Sequence, residues 1–296
     1  MTNIDIAIIY TLTILMKRNY VDTITINWHI VENCNYRCKF CFAKYENSQF
    51  ETIERSTKNI DRLLQKIYRY FIGRYSAVRL NIAGGEPTLS TNLDYIIKKA
   101  HSIGFIVSII TNGSKLTSDF IEKSLPYLSM FAISVDSLNS ETNQKIGRIS
   151  RHKTLGKSEL LRTMQKIKAS NPLVKIKINT VVNNHNYDEY MGDFIASIKP
   201  YKWKIFQALS MGTDEVYCSQ EKYETFLENH KDSAEHISGE SNDEMRESYI
   251  MIDPYGRFYQ NGSKTYEYSQ SLLVSSVEQA FLSTGFDRDK YEARYA

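Results

Sequence analysis

From Thr23 onward the chain alternates between two hydrophobic rhythms. "TITINWHIV", from Thr23 to Val31, repeats on a period of two and predicts a strand. "IDRLLQKIYRYF", from Ile60 to Phe71, spaces its apolar residues three and four apart and predicts a helix with one buried stripe. The same pairing recurs along the chain. Strands are expected at "AVRLNIAG", "FIVSIIT", "MFAISVD", "VKIKINTVV" and "KWKIFQAL". Between them fall helices at "NLDYIIKKAHSIG" (closing on Gly104), before Pro126, at "SELLRTMQKIKAS" and at "YDEYMGDFIASI". Six strands separated by helices predict βαβ units with right-handed crossovers, an α/β fold with a helix-covered parallel sheet. After Gln220 the rhythm breaks into a helix "EKYETFLENH", a polar stretch "SGESNDEMRES" and a hairpin "YIMIDPYGRFYQ" turning at Asp253–Pro254.

Period-two alternation also sorts the polar residues. In "VKIKINT", Lys175, Lys177 and Asn179 share one side of the strand, and Val174, Ile176 and Ile178 take the other. In "KWKIFQ", Lys202, Lys204 and Phe206 alternate likewise, and in "VRLNIAG" Arg79 and Asn81 share a side. The apolar rows suit packing against helices, which leaves the cations and asparagines facing the interior of a barrel. Cations inside a barrel are costly unless an anion meets them, so a polyanionic ligand is implied. Solvated lysines on edge strands are the alternative; three strands with one pattern argue for the interior.

Composition narrows this. The chain has 296 residues, 42% hydrophobic and 24% charged, and a net charge of +3 from 37 basic against 34 acidic residues. No global field marks a nucleic-acid binder, so the polyanion site is local. Ile4–Met16 is strongly apolar but too short to span a bilayer. With Asp5 and no basic residue before it, the segment also lacks the pattern of a signal peptide. Stable membrane insertion is therefore not expected.

Three of the four cysteines lie in "CNYRCKFC": Cys34, Cys38 and Cys41, spaced C-x3-C-x2-C. Such bunching argues against a secreted disulfide framework and for a reducing, cytoplasmic setting. A structural zinc site takes four ligands, and no second cysteine pair exists; His29 lies on the strand, outside the loop. Three thiolates on a 4Fe–4S cube would leave one iron open for a substrate or cofactor. A zinc site and a loop of reduced thiols are the competing readings. "GGEP", "TNG" and "SVD" follow the second, third and fourth strands as the cysteines follow the first. In parallel α/β folds, strand carboxyl ends form the ligand crevice.

The cysteine spacing, Phe40 before the last cysteine, and "GGEP" resemble the radical S-adenosylmethionine superfamily. The resemblance implies a partial (βα)6 barrel, a 4Fe–4S cluster and S-adenosyl-L-methionine as its cofactor. "LNIAGGEP", "TNGS", "AISVDS", "IGR", "KINTVVN", "KWKIFQ", "ESNDEMRESYIMID" and "GFD" occur in the order found in viperin-like enzymes, from about Asn27 to Asp287. That family resemblance implies dehydration of a ribonucleoside triphosphate (CTP, UTP or GTP) to its 3′-deoxy-3′,4′-didehydro form, with an external one-electron reductant. It also implies a role in antiviral defence.

Carried onto matching positions, it assigns Cys34, Cys38 and Cys41 to the cluster. Gly84, Gly85, Glu86, Asn112, Ser134 and Arg148 fall to the cofactor. Asn27, Arg79, Asn81, Lys177, Asn179, Lys202 and Lys204 fall to the nucleotide, and Tyr255 to the final donation step. Arg79 stands where the family commonly has lysine and Lys202 where it has arginine, swaps that keep charge but change geometry. The expected division is a leader over 1–22, the barrel over 23–210 and an extension over 211–296 that closes the substrate site. A rival is a radical enzyme that modifies peptides. Such enzymes often carry extra C-terminal clusters, which Cys218 alone cannot build.

Overall fold

The computed structural model describes residues 22–45, 51–151, 153–209, 217–262 and 266–295. The apolar stretch Ile4–Met16 and the junction at residue 210 lie outside them. The six predicted strands form within a residue or two of their expected bounds: β1 (Thr23–His29), β2 (Ala77–Ala83), β3 (Ile106–Thr111), β4 (Met130–Ser134), β5 (Lys175–Val182) and β6 (Lys202–Gln207). They are followed by β7 (Ile237–Glu240), β8 (Ile250–Ile252), β9 (Arg257–Gln260) and β10 (Glu267–Ser271). The helices are α1 (Thr57–Ile72), α2 (Leu93–Ile103), α3 (Ser118–Lys123), α4 (Ser140–Lys145) and α5 (Lys157–Ser170). Then come α6 (Gly192–Ile198), α7 (Gln220–Asn229), α8 (Asn242–Met245), α9 (Val277–Leu282) and α10 (Arg288–Tyr295). Among the described residues no helix is long and apolar enough to cross a membrane.

Local chemistry explains the helix bounds. The Ser56 hydroxyl accepts from the Asn59 amide and caps α1, whose buried residues Ile60, Leu63, Leu64, Ile67 and Phe71 form a single stripe. α2 stops on Gly104, which adopts φ +114°, a conformation that penalises any side chain.

All ten strands join one sheet in the order β10-β9-β8-β1-β2-β3-β4-β5-β6-β7. From β8 to β7 every neighbouring pair is parallel. Here the structure departs from the sequence expectation. The extension past Gln220 supplies strands to both edges, β7 beside β6 and β8 beside β1, and the hairpin β8–β9 continues antiparallel. Only residues 241–249 separate β7 from β8 in the chain. The Tyr249 hydroxyl, next to β8, donates to Glu240 at the end of β7, so the parallel run curls until its two edges nearly meet. The segment crosses the remaining gap: the Asn242 amide donates to Gln207 of β6, and the Gln260 amide of β9 donates to the Tyr249 carbonyl.

The apolar rows lie on the helix side. Ile24, Ile26, Trp28, Leu80, Ile82, Ile176, Ile178, Trp203 and Ile205 are all buried in one core with the helix stripes. At about 25 cal/mol per Å² of apolar surface removed from water, this layer is the main source of stability. The opposite rows face the lumen, as the alternation predicts, with one correction. Lys175 sits at the exposed end of β5, its ammonium 4.1 Å from the Tyr201 ring centre, and stays in solvent.

Candidate active site

The cysteine loop leaves the carboxyl end of β1 and is clamped by backbone bonds. The Arg37 amide donates to the Gly147 carbonyl at 3.1 Å and the Lys39 amide to Ile146 at 3.0 Å. Gly147, at φ +80°, permits this approach; a Cβ there would stand 2.1 Å from the Arg37 carbonyl oxygen. Gly84 and Gly85 serve the same loop. Their added Cβ atoms would collide with the backbone of Val31 and of Glu32 and Asn33, at 2.6 and 2.3 Å. What presses on these glycines is thus the chain itself.

Glu86 is fully buried and saturated. Its carboxylate accepts from the Thr88 amide (3.1 Å) and hydroxyl (2.6 Å), the Thr111 hydroxyl (2.6 Å) and the Asn112 amide (2.7 Å). These bonds knit the end of β2 to the end of β3 and fix Asn112. The Asn112 side chain donates to Asn35 at 3.0 Å and lies 3.9 Å from the Cys34 sulfur.

Across the loop, Arg148 pairs with buried Asp136 at 2.9 Å and donates to the Ser134 carbonyl at 2.7 Å. Its guanidinium lies 3.9 Å from the Cys38 sulfur and 5.3 Å from the Tyr36 ring centre. Tyr36, Ser134, Ser137, Asn143 and Arg148 line a small cavity beside Cys38. Asp136 lies in the quoted "SVD" but was not singled out in the sequence. Burial pushes its carboxyl up, and Arg148 and the Val181 amide pull it back.

The three cysteines are unoxidised and half-buried. Burial raises all three thiols, Cys38 up to about 12, with Asp136 and the neighbouring cysteines adding to the rise. Such thiols become thiolates when a cationic centre meets them. Among the described residues no three His, Cys, Asp or Glu side chains converge tightly enough to hold a single ion. A 4Fe–4S cube bonds each thiolate to a different iron, so its donors need not converge on one point.

Below this rim the lumen is layered. On β1 and β2, Asn27 pairs with Asn81; on β5 and β6, Asn179 pairs with Lys204. The Asn81 amide donates to Asn27 at 2.7 Å, and the Ser108 hydroxyl donates to Asn81 at 2.9 Å. The Asn179 side-chain oxygen is buried without a partner.

Two residues further from the rim stand Arg79 and the register pair Lys177–Lys202. Burial drives the Lys177 ammonium well below its ordinary value; Lys204, Lys202 and Arg79 add to this and Glu240 opposes it. Lys204 falls to about 8 by burial, again opposed by Glu240, to which it is bonded at 2.5 Å. Arg79 donates to the Ser129 hydroxyl at 3.0 Å.

Tyr255 occupies the β8–β9 turn, buried, and its hydroxyl donates to Glu32 at 3.2 Å, at the root of the cysteine loop. Nearby, buried His29 meets the Tyr45 hydroxyl through Nδ1, and burial lowers its imidazole to about 3. Glu32, Tyr45 and Arg294 carried no sequence motif of their own, His29 was considered only as a zinc ligand, and Glu240 and Tyr249 lie in the quoted "ESNDEMRESYIMID" without being singled out. Only "ESN", with Glu240 at its head, offered a signal.

A mostly parallel, nearly closed sheet with three cysteines on the loop after its first strand defines a class. Residues 28–198 match the family model of the radical SAM superfamily, and the chain belongs to that superfamily. It is a radical SAM enzyme whose cofactors are a 4Fe–4S cluster and S-adenosyl-L-methionine. Within the superfamily it groups with curated relatives named S-adenosylmethionine-dependent nucleotide dehydratase. One, from Psychrobacter lutiphocae, is 37% identical over 92% of this chain and 94% of its own length. Another, from Fibrobacter sp., is 39% identical over 93% and 89%. The dehydratase RSAD2 of Oncorhynchus mykiss is 30% identical over 91% and 78%.

Two solved structures share the fold. Streptococcus suis SuiB bound to the precursor peptide SuiA has a TM-score of 0.64 at 15% identity, over 97% of this chain and 70% of that one. The enzyme anSMEcpe with bound AdoMet has a TM-score of 0.66 at 12% identity, over 91% and 84%.

Proposed function

We propose that the enzyme dehydrates a ribonucleoside triphosphate to its 3′-deoxy-3′,4′-didehydro analogue. The cation cluster carries this reading. Arg79, Lys177 and Lys202 stand in one layer of the lumen, with Lys204 one layer nearer the rim; burial, joined by these neighbouring cations, holds the Lys177 ammonium well below its ordinary value, and Glu240 opposes the fall. A triphosphate would neutralise this cluster, and the relatives' names point to a nucleotide. Along the strands, the asparagines lie two residues nearer the rim than Arg79 and Lys177, roughly 7 Å. A nucleotide with its phosphates on the cations therefore sets its ribose among Asn27, Asn81 and Asn179, beneath the cysteine rim. The unpartnered Asn179 oxygen is suited to accept from a ribose hydroxyl.

When bound, the cluster and S-adenosylmethionine supply a carbon-centred radical able to take the hydrogen from ribose C4′. In this proposal the protein supplies position. Cys34, Cys38 and Cys41 hold the cluster. Asn112, Ser134 and Arg148 line the cofactor's place, with Gly84, Gly85 and Glu86 shaping the backbone around it. Tyr255, anchored by Glu32, gives the proton with which the 3′-hydroxyl leaves as water, and the external reductant supplies the one electron that completes the C3′–C4′ double bond.

The test is an anaerobic incubation of reconstituted protein, reductant and S-adenosylmethionine with CTP, UTP, GTP or ATP in turn. A product lighter by one water, accompanied by 5′-deoxyadenosine, is expected with at least one of them. Cofactor cleavage that no nucleotide stimulates would remove the triphosphate and favour a peptide substrate.

A further inference from the structure

The cation layer contains an acid for which the proposed reaction has no assigned use. Glu240 ends β7 and is 3% exposed. One carboxylate oxygen pairs with the Lys204 ammonium at 2.5 Å and with the Arg294 guanidinium at 3.0 Å. The other accepts from the Tyr249 hydroxyl, whose oxygen in turn accepts from Lys204 at 2.9 Å. Arg294 stacks on the Tyr249 ring at 3.7 Å and donates to the Glu244 and Ser248 carbonyls at 2.8 and 2.7 Å. One carboxylate thus joins β6, the segment crossing the barrel gap, and α10.

A carboxylate amid phosphate-binding lysines should, by charge alone, repel the ligand. Its geometry indicates a different role. A lysine side chain is flexible, and holding its ammonium in one place costs rotamer entropy. Here that cost is met before any ligand arrives, because Lys204 is gripped from two sides. Its remaining ammonium hydrogen is free to be offered to the lumen.

We propose that Glu240 is a positioning residue for polyphosphate: it fixes the Lys204 ammonium toward the lumen and ties that lysine to the crossing segment and the last helix. The proposal rests on the polyanion part of the function proposed above. Without the carboxylate, the charged and polar groups that face Lys204 among the described residues are Arg294, Lys202, Lys177 and the Tyr249 hydroxyl. Its charge then becomes harder to keep as pH rises.

Glu240→Gln keeps the shape and removes the charge. Binding of inorganic triphosphate to the reconstituted protein, measured by calorimetry, should weaken about tenfold near pH 8.5. The loss should shrink as pH falls, because a growing share of Lys204 is then protonated in both proteins. In a Lys204→Met background the same substitution should change affinity less than about twofold. An equal loss in both backgrounds would make Glu240 merely structural, and tighter binding at every pH would make it merely repulsive; either overturns the proposal. Should Glu240→Gln fail to fold, Tyr249→Phe takes its place, with a weakening of about threefold expected only when Lys204 is present. If triphosphate behaves as stated while no nucleotide is dehydrated, the reaction falls and the role of Glu240 stands.

Discussion

The two ends of the lumen handle charge in opposite ways. At the cysteine rim charges are matched: Arg148 has Asp136, Glu86 has four donors, and Arg257 holds Asp253 at 2.7 Å. Below it, Lys177 is approached by Lys202, Arg79 and Lys204, and Glu240 is the acid that acts on both Lys177 and Lys204. The rim is built to hold its form by itself, whereas the cations around Lys177 repel one another. Paired buried charge holds architecture together, whereas crowding of like charge around Lys177 opposes its own folding unless something offsets it.

The comparison can be broken at the rim first. Cys38→Ala should abolish the brown chromophore after anaerobic reconstitution and bring cofactor cleavage to background, read by absorbance and 5′-deoxyadenosine release. Arg148→Met should leave Asp136 buried without its cation. Denaturant unfolding should register a loss of about 3–5 kcal/mol, the cost of breaking a buried pair.

Lys177→Met should do the reverse. Removing one of several crowded cations should raise the stability of the ligand-free protein by about 1 kcal/mol while weakening triphosphate binding ~30-fold. If Lys177→Met lowers stability as Arg148→Met does, the two ends are alike and the contrast fails.

A subtler effect concerns pH. Lys204 sits near 8 against an ordinary 10.5, so between those values the unfolded chain binds more protons than the folded one. Its penalty is complete below about 8 and fades as pH rises toward 10.5, so wild type should gain stability relative to Lys204→Met over that window. The smallest effect is expected at His29. Burial keeps its imidazole neutral down to about pH 3, so His29→Gln should leave the shape of the pH–rate profile between about 5 and 8 unchanged.

Much of this was legible because the sequences of β1, β2, β5 and β6 alternate on a period of two, and β3 and β4 are short apolar runs between helices. The rows Lys177–Asn179 and Lys202–Lys204 announced both their strands and the side they face. β7 escaped because "ISGE" is four residues long, contains a glycine, and ends on an acid that would ordinarily be a surface residue. Glu240 is buried only because Lys204, Tyr249 and Arg294 arrive from three other segments, and no window of sequence contains all four. Glu86 was likewise visible as a residue, but its saturation by Thr88, Thr111 and Asn112 depends on β3 lying beside β2.

The crossing segment between β7 and β8 has a consequence for how the molecule comes into being. On the ribosome, β1 to β6 can assemble in the order of their synthesis, each beside its predecessor. β8, however, must return to β1, the oldest strand, and it arrives with the last part of the chain. Until β8 pairs with β1 that edge of the sheet has no neighbour, and the lumen beneath the lysines of β5 and β6 has an unsealed side. Glu240 and the strands that complete the two edges follow one another in the chain, so the lumen is closed and Lys204 held in place at the same late stage of synthesis.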